Sequence, residues 1–412
     1  MNRKLEKILI MLVIAGQLLA QGLYLPIINS FPVYLILLAI LGVYELINWF
    51  YLTQGKINTR TENGIPFIMT LMILNIIIVH LFNFNFSLQS FALILFSMTL
   101  SLACYNAIGS KEDITWMINV YILIVILSAI VELGQFFNIS FCNDLWTFLH
   151  VGDNLTSAKE GGRYLGLASD SLQFAYHCTA AFALVLFFKF KNNNVLKKTV
   201  IFAILLPAVF TNNTRSAMIA LVFIFAVWLF VYNTSFNSKL IKAGLVMLLL
   251  AVVMLSGKAM DIFENSRFYS LQTDAGSMSR ITMVLTAFNH ALHHPFGMGI
   301  YKVSPELIVG ANSSTYWYVL INTSHNLLGN CVASYGFIGL ALLLVFYKRT
   351  CCLYLDNLRY LENKYVYLSI ILAIIGLFIN AFFHNAYILN GEISSWLFLG
   401  IILASSKLSK QA

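Results

Sequence analysis

The chain has 412 residues, of which 59% are apolar and only 10% are charged, with a formal net charge of +8. A water-soluble domain of this length needs far more charge to cover its surface, so that class of protein is excluded. The basic residues are not gathered on one face, which argues against a nucleic-acid partner. The six cysteines form neither a CxxC pair nor a ligand spacing with histidine, so we expect no metal site and no cofactor.

Apolar runs of roughly helical length follow one another along the whole chain, and about 20 such residues cross a hydrocarbon core. This pattern predicts an all-α polytopic membrane protein with about twelve transmembrane helices in a single membrane domain, residues 1–412. The predicted spans are Ile8–Leu25, Val33–Leu52, Ile65–Phe82, Leu88–Ile108, Ile114–Phe137, Leu165–Phe188, Leu196–Phe210, Arg215–Tyr232, Leu240–Leu255, Leu327–Phe346, Tyr365–Phe383 and Ile393–Ser405.

Lys and Arg are divided unequally between the two sides that these spans define. One side, which carries both termini, holds 18 of them, and the other side holds the remaining 7 of the chain's 25. Cytoplasmic loops are the ones enriched in Lys and Arg, so we expect both termini in the cytoplasm.

Two connections on the predicted outer side are long, residues 138–164 and the larger loop 256–326 between the ninth and tenth spans. The larger loop contains an amphipathic stretch, SMSRITMVLTAFNHALHH, which predicts a helix. Its apolar residues recur at helical spacing, so this face is expected to lie on the outer leaflet or to cap the bundle. These residues are Ile281, Val284, Leu285, Phe288 and Leu292.

Arg215 opens the eighth span within the segment TNNTRSA, close to the outer boundary of the bilayer. A guanidinium at that depth is costly and is expected to have an anionic partner, although some such arginines reach the headgroups instead. Arg163 and Arg280 are predicted on the same side. Clustered arginines suit the bidentate capture of phosphate oxygens, so we expect these three to bind a phosphate-containing substrate.

Two carboxylates are expected near these arginines. Asp170 lies one turn inside the sixth span and Glu132 lies toward the outer end of the fifth. They either neutralise the arginines or take part in the chemistry, and the sequence leaves both roles open.

His325 and Asn326 precede the tenth span, and histidine titrates near neutral pH. The following residues Gly329, Ala333, Gly336 and Gly339 form a small-residue stripe that allows a neighbouring helix to approach closely. Beside an arginine cluster, a general base at His325 competes with a simple helix-capping role.

His290, His293 and His294 stand at the spacing of one helix face, but no carboxylate or cysteine ligand is adjacent. Histidine is also favoured in the last turn of a helix by the helix dipole. We therefore expect no metal at these three histidines.

The ordered polar motifs resemble those of the O-antigen ligase family, in a larger group that also contains O-antigen polymerases. The most specific element is His325-Asn326, nine residues, then Gly336-Phe337-Ile338-Gly339, and Arg163, Arg215 and the Arg280…HPFGMG segment come in the same order. Thr214 before Arg215 and the residue after Arg280 depart from the family pattern.

The resemblance implies a GT-C-like membrane glycosyltransferase of a bacterial inner membrane. Such an enzyme moves a glycan from undecaprenyl pyrophosphate to a sugar of the lipid A core at the periplasmic face, without metal and with inversion of configuration. By this resemblance Arg215 and Arg280 bind the pyrophosphate and His325 acts as the base or positions the acceptor. Arg163, Asn326 and Asp170 are the further residues expected to contact substrate.

Two other functions stay open at this point. A polymerase of the same superfamily uses the same donor but a second lipid-linked glycan as acceptor. A flippase or other transporter of lipid-linked oligosaccharides is disfavoured, because transporters place polar residues near the midplane and often have two related halves. The polar motifs here gather on one side.

Overall fold

The computed structural model describes most of the chain and leaves several connecting segments aside. The described residues are 3–20, 23–25, 28–53, 64–85, 88–150, 163–187, 195–231, 275–311, 313–321, 324–358, 364–384, 388–389 and 392–411.

Within these residues the fold is built from helices, with one short antiparallel pair of strands, β1 (Tyr24–Leu25) and β2 (Ile28–Pro32). The helices are α1 (Arg3–Leu19), α2 (Val33–Thr53), α3 (Ile65–Phe82), α4 (Leu88–Ala107), α5 (Lys111–Phe136), α6 (Ser140–Leu149), α7 (Ser171–Phe187), α8 (Val195–Asn212), α9 (Arg215–Val231), α10 (Ala275–His293), α11 (Ser313–Ile321), α12 (Leu327–Leu358), α13 (Lys364–Phe382) and α14 (Ser394–Gln411).

Four of the described helices are long and apolar enough to cross a membrane by themselves: α3, α5, α12 and α13. Shorter apolar stretches lie in α2, α4, α7, α9 and α14. The chain is a polytopic membrane protein, as its composition predicts. Eleven of the twelve predicted spans coincide with a described helix, and the ninth, Leu240–Leu255, lies outside the described residues.

Helix ends follow local capping chemistry. Ser110 and Asp113 form a reciprocal capping box at the start of α5, and Pro66 stands in the first turn of α3. The sixth span was predicted to begin at Leu165, but α7 begins only at Ser171, because the Asp170 carboxylate accepts the backbone N–H groups of the first turn.

The two ends of the bundle differ in their polar contacts. At one end Lys7 of α1 is paired with Asp113 of α5, and Lys407 of α14 donates to the Tyr105 carbonyl of α4. These lysines belong to the group predicted to be cytoplasmic. The opposite end, which we call the site end, carries the beginnings of α7, α9 and α12 and the end of α13.

Helix α12 is longer than the predicted tenth span and is interrupted. Gly336 has φ 71° and ψ −175°, a backbone conformation that only glycine adopts readily. At this break the loop after α10 pairs with the chain: Phe337 N–H donates to the Pro295 carbonyl at 3.0 Å, and Gly299 N–H donates to the Ser334 carbonyl at 2.8 Å. A Cβ on Gly336 would overlap the Pro295 carbonyl oxygen. Gly336 is therefore the position at which the α12 backbone pairs with the loop after α10, and it does not belong to a regular helical stripe.

The remaining small residues of that stripe do admit neighbouring elements. A Cβ on Gly329 would lie 3.3 Å from Ala287 of α10, and one on Gly339 would lie 3.0 Å from the Asn75 amide of α3. The N-terminal part of α12 is thereby packed against α10, and the part after the break against α3.

Helix α10 confirms the amphipathic prediction but presents its faces unexpectedly. Ile281, Leu285 and Leu292 are exposed, with 74%, 50% and 70% of their surface accessible, whereas Ala287 and His290 are buried. The idea that the apolar face caps the bundle is wrong, because α10 packs on α12 through small and polar residues. Its apolar stripe remains available to a membrane surface.

Candidate functional site

Asn326 fixes the start of α12 and ties it to the end of α13. Its side-chain oxygen accepts the N–H groups of Leu328 and Gly329 at 2.9 and 3.0 Å, the pattern of a helix N-cap. Its side-chain amide donates to the Phe382 carbonyl at 2.7 Å. The contacts of Asn326 are therefore those of a positioning residue, and the direct substrate contact expected from the sequence remains a prediction.

His325, just before this cap, is held in a strained conformation with φ 43°. Non-glycine residues rarely adopt this region, and such strain persists where the surrounding structure enforces it, often at functional sites. The His325 ring is half-buried and meets the His384 ring edge-on, with 6.3 Å between ring centroids.

Burial lowers the pKa of His325, and the nearby positive charge of Arg280 lowers it further. Both effects disfavour the imidazolium form. His325 is accordingly neutral at neutral pH and is suited to accept a proton.

Arg280, in the first turns of α10, reaches across to the end of α13. Its Nη1 donates to the Phe383 carbonyl at 2.9 Å, next to the Phe382 carbonyl that Asn326 binds. Carbonyl groups at a helix C-terminus lack intrahelical partners and attract cations. Arg280 therefore both holds this segment and brings positive charge to His325.

We call Arg280, His325, Asn326 and His384 the histidine cluster. The buried His384 ring also lies 6.0 Å from the Tyr176 ring of α7, measured between centroids. Tyr176 thereby connects the cluster with the start of α7.

Asp170 is exposed to solvent, yet enough protein surrounds it that burial raises the pKa of its carboxyl group. Two backbone N–H groups, from Gln173 and Leu172, oppose this shift. In the structure the Asp170 carboxylate caps α7 and accepts both of these hydrogen bonds at 2.8 Å.

Arg215 is the first residue of α9, and the turn before it is built by asparagines. Asn213 takes a left-handed conformation, φ 58°, that ends α8, and Asn212 donates to the Tyr164 carbonyl at 2.6 Å. Arg163, adjacent to Tyr164, contacts the Ser171 hydroxyl at 3.5 Å. We call residues 212–215 together with Arg163 the arginine turn.

The half-buried Arg215 has two guanidinium nitrogens, Nε and Nη2, shielded from solvent. Arg215 also lies at the N-terminus of α9, which is the positive end of the helix dipole. The first backbone N–H groups of a helix have no partner within the helix. A cation and a helix N-terminus together favour an anion.

Glu132 does not neutralise the arginines by direct pairing. It is fully buried and accepts a hydrogen bond from the Thr211 hydroxyl at 2.7 Å, and it forms no ion pair with an arginine among the described residues. Asp170 and Arg163 likewise form no ion pair with each other in the described part of the chain. Direct pairing of these two carboxylates with the arginines is therefore not seen among the described residues, and their neutralising role remains a prediction.

The three histidines of α10 and the following loop point in different directions. His290 is buried, accepts the Ser304 N–H at 3.1 Å and packs edge-on against Tyr301, whereas His293 and His294 are exposed. Within the described chain no three His, Cys, Asp or Glu side chains are grouped as a metal site.

His384 is the site residue that the sequence reasoning missed. It follows the eleventh predicted span in the segment FFHNAY, so its place just beyond a span was a usable signal. Its meeting with His325, 59 positions earlier in the chain, depends on how α12 and α13 pack.

One segment of the chain matches a known protein family. A protein-family model described as O-antigen ligase matches residues 200–344. This match covers about a third of the chain, and the matched segment is similar to the O-antigen ligase family. No curated protein matches the chain.

The matched segment contains Arg215, Arg280, His325, Asn326 and the Gly336 break. Arg163, Asp170 and His384 lie outside it and join the site through the contacts described above. This similarity supports an enzymatic role and does not distinguish a ligase from a polymerase.

Proposed function

We propose that this protein is an O-antigen ligase, an inverting glycosyltransferase that moves a glycan from undecaprenyl pyrophosphate to a sugar hydroxyl of the lipid A core. The observation that carries the proposal is that Arg280 and His325 meet the same short segment after α13, Arg280 at the Phe383 carbonyl and His325 at the His384 ring. His325 can remove the proton of an attacking hydroxyl group, and the positive charge of Arg280 can stabilise an anionic leaving group.

In the proposed reaction the acceptor oxygen attacks the anomeric carbon of the donor glycan. A new carbon–oxygen bond forms, and the bond to the pyrophosphate breaks with its electron pair passing to the pyrophosphate. His325 takes the proton of the acceptor hydroxyl. Attack from the face opposite the leaving group inverts the anomeric configuration.

Arg280 and Arg215 offset the charge that grows on the leaving pyrophosphate, which is already a good leaving group. Fixed cations are effective in a site removed from bulk water, so the proposed reaction proceeds without a divalent ion. The lipid tail of the donor accounts for a site placed among the ends of transmembrane helices.

The proposed reaction takes place at the periplasmic face of a bacterial inner membrane, with both termini in the cytoplasm. This orientation rests on the distribution of Lys and Arg along the sequence. Reporter fusions that place the C-terminus outside the cytoplasm would contradict it.

The test uses purified full-length protein in nanodiscs with a defined undecaprenyl-pyrophosphate-linked glycan. Two acceptors are offered separately: lipid A–core, and a second lipid-linked glycan. We expect transfer to lipid A–core that is lost in Arg280→Ala and His325→Ala. Transfer only to the lipid-linked glycan indicates a polymerase instead, and transfer to neither overturns the enzymatic proposal.

A further inference from the structure

An elongated groove opens between α3, the part of α12 after the Gly336 break, and the loop that follows α10. Its volume is about 810 Å³. Apolar side chains form its walls: Leu74, Ile78 and Phe82 of α3, Ile338 and Leu342 of α12, and Phe296 of the loop.

The groove is continuous with the surface that this membrane protein turns toward lipid. Leu74, Ile78 and Ile338 are each about half exposed in the folded chain, at 47%, 49% and 50%. From Leu71 to Phe82 it follows α3 over 11 residues, or about 16 Å at the helical rise. This is close to the depth of one leaflet, about 15 Å of hydrocarbon.

The amide of Asn75, on the α3 wall of the groove, donates to the Tyr335 carbonyl at 3.1 Å, and the other polar side chains lie at one end. There the exposed His293 and His294 and the Asn83 amide stand at the site end, and Asn83 donates to the Gly297 carbonyl at 3.1 Å. Imidazole and amide groups complement the phosphate and sugar hydroxyls of a glycolipid head. The opposite end, at Leu71 and Leu342, is apolar. This polarity fits a lipid chain that enters with its headgroup at the site end.

The distance between the polar end of the groove and the histidine cluster indicates which of the two lipid substrates the groove binds. His293 lies 13 residues after Arg280 on α10, which is about 20 Å along the helix. The donor's chain is joined directly to its pyrophosphate and so begins at the arginines. The acceptor's reacting hydroxyl is separated from its lipid by several sugars, which bridge such a gap.

We propose that this groove binds an acyl chain of the acceptor glycolipid, with the glycolipid head at His293 and His294 and its sugars extending toward His325. The inference rests on the proposed transferase function. It assigns the acceptor a membrane-side anchor distinct from the pyrophosphate site.

The experiment fills the groove and follows both substrates. Ile338→Trp places a large ring in it, and Leu344→Trp is the matched control, because Leu344 is equally exposed on the same helix but does not line the groove. With purified protein in nanodiscs, we expect Ile338→Trp to raise the acceptor KM about tenfold, as a few lost methylene contacts would. The donor KM and the kcat at saturating acceptor stay unchanged.

A second arm uses deacylated lipid A–core. Deacylation should raise the acceptor KM of the wild type and remove the difference between wild type and Ile338→Trp. If Ile338→Trp fails to accumulate, Leu74→Trp fills the groove from the opposite wall.

Two results overturn the inference while transfer itself is intact. One is equal behaviour of Ile338→Trp and Leu344→Trp, and the other is a rise in the donor KM in place of the acceptor KM. Absence of transfer by the wild type overturns the proposed function instead. Binding of lipid A–core without donor, measured in both tryptophan variants, then still tests the groove.

Discussion

The histidine cluster and the arginine turn are built in different ways at the same end of the bundle. In the cluster, titratable groups face one another, and the charge of Arg280 changes the pKa of His325. In the turn, backbone anchors such as Asn212 to Tyr164 place the Arg215 guanidinium at a helix N-terminus. We propose a division of labour in which the cluster performs the proton chemistry and the turn binds the anionic donor, with Arg280 adding its charge at the leaving pyrophosphate.

Arg280→Ala is the change expected to have the largest effect, because Arg280 acts on His325 and also holds the Phe383 carbonyl. We expect kcat to fall by at least about 10³-fold, at the upper end for loss of one charge-stabilising donor. Arg280→Lys should recover part of this loss, since lysine lacks the planar fork.

Steady-state transfer with purified protein measures both variants, and their amounts in the membrane serve as the folding control. Full activity in Arg280→Lys would reduce the role of Arg280 to generic charge. A rise in donor KM with kcat unchanged would mean that Arg280 only binds the donor and does not act on His325.

Arg215→Ala is expected to weaken donor binding, so the donor KM rises and kcat/KM falls by about 10²-fold. The pH dependence of the remaining activity should match that of the wild type, because burial and Arg280 lower the pKa of His325 and Arg215 is not among the causes. Thr211→Val serves as a control that removes the hydroxyl bonded to Glu132 and leaves the arginine in place. An unchanged donor KM in Arg215→Ala contradicts the division of labour.

Gly336→Ala tests whether the break in α12 holds the cluster in place. The substitution combines an unfavourable φ with overlap at Pro295, and strain of this kind costs about 1–3 kcal/mol. Gly310→Ala is the matched control, because Gly310 has the same φ of 71° but no atom within 4 Å of an added Cβ.

We expect Gly336→Ala to lower the Tm more than Gly310→Ala does and to reduce kcat about tenfold, a loss of about 1.4 kcal/mol. Thermal unfolding in detergent and transfer assays measure the two quantities. Equal effects of the two substitutions would mean that the backbone junction does not position His325.

Asp170→Asn is expected to have the smallest effect, a change in kcat of less than about threefold. Asparagine caps a helix as well as aspartate does, so α7 keeps its start while the charge is lost. Asp170→Ala should cost about 1 kcal/mol of stability through loss of the cap. A large loss of turnover in Asp170→Asn would instead make this carboxylate a participant in the chemistry.

Much of this fold was predictable because apolar runs report directly on membrane spans. The third span, Ile65–Phe82, matches α3 at both ends, and α10 appeared as an amphipathic stretch. The extra length of α12 and the break at Gly336 were not predictable, since the break depends on pairing with a loop some 40 positions earlier.

The site was predictable in its parts but not in its assembly. His325, Arg280 and Arg215 stand out as polar residues between apolar runs, a local property of the sequence. The tie from Arg280 to Phe383 and the meeting of His325 with His384 join segments 103 and 59 positions apart. Such contacts depend on how the helices pack, and the spacing of apolar residues in the sequence does not predict this packing. For the same reason the sequence does not show that Asp170 and Asn326 cap helices, and their predicted substrate contacts remain predictions.

The central claim is that His325 is a neutral base beside Arg280, and single-turnover transfer as a function of pH tests it most directly. For the wild type, the rate should fall only below the ordinary histidine pKa of 6.5, because burial and Arg280 lower the pKa of His325 and protonation removes the base. His325→Ala should lose about 10²–10⁴-fold in rate together with this acidic limb, while donor binding stays normal. A variant that turns over normally, or that retains the same acidic limb, would contradict the account.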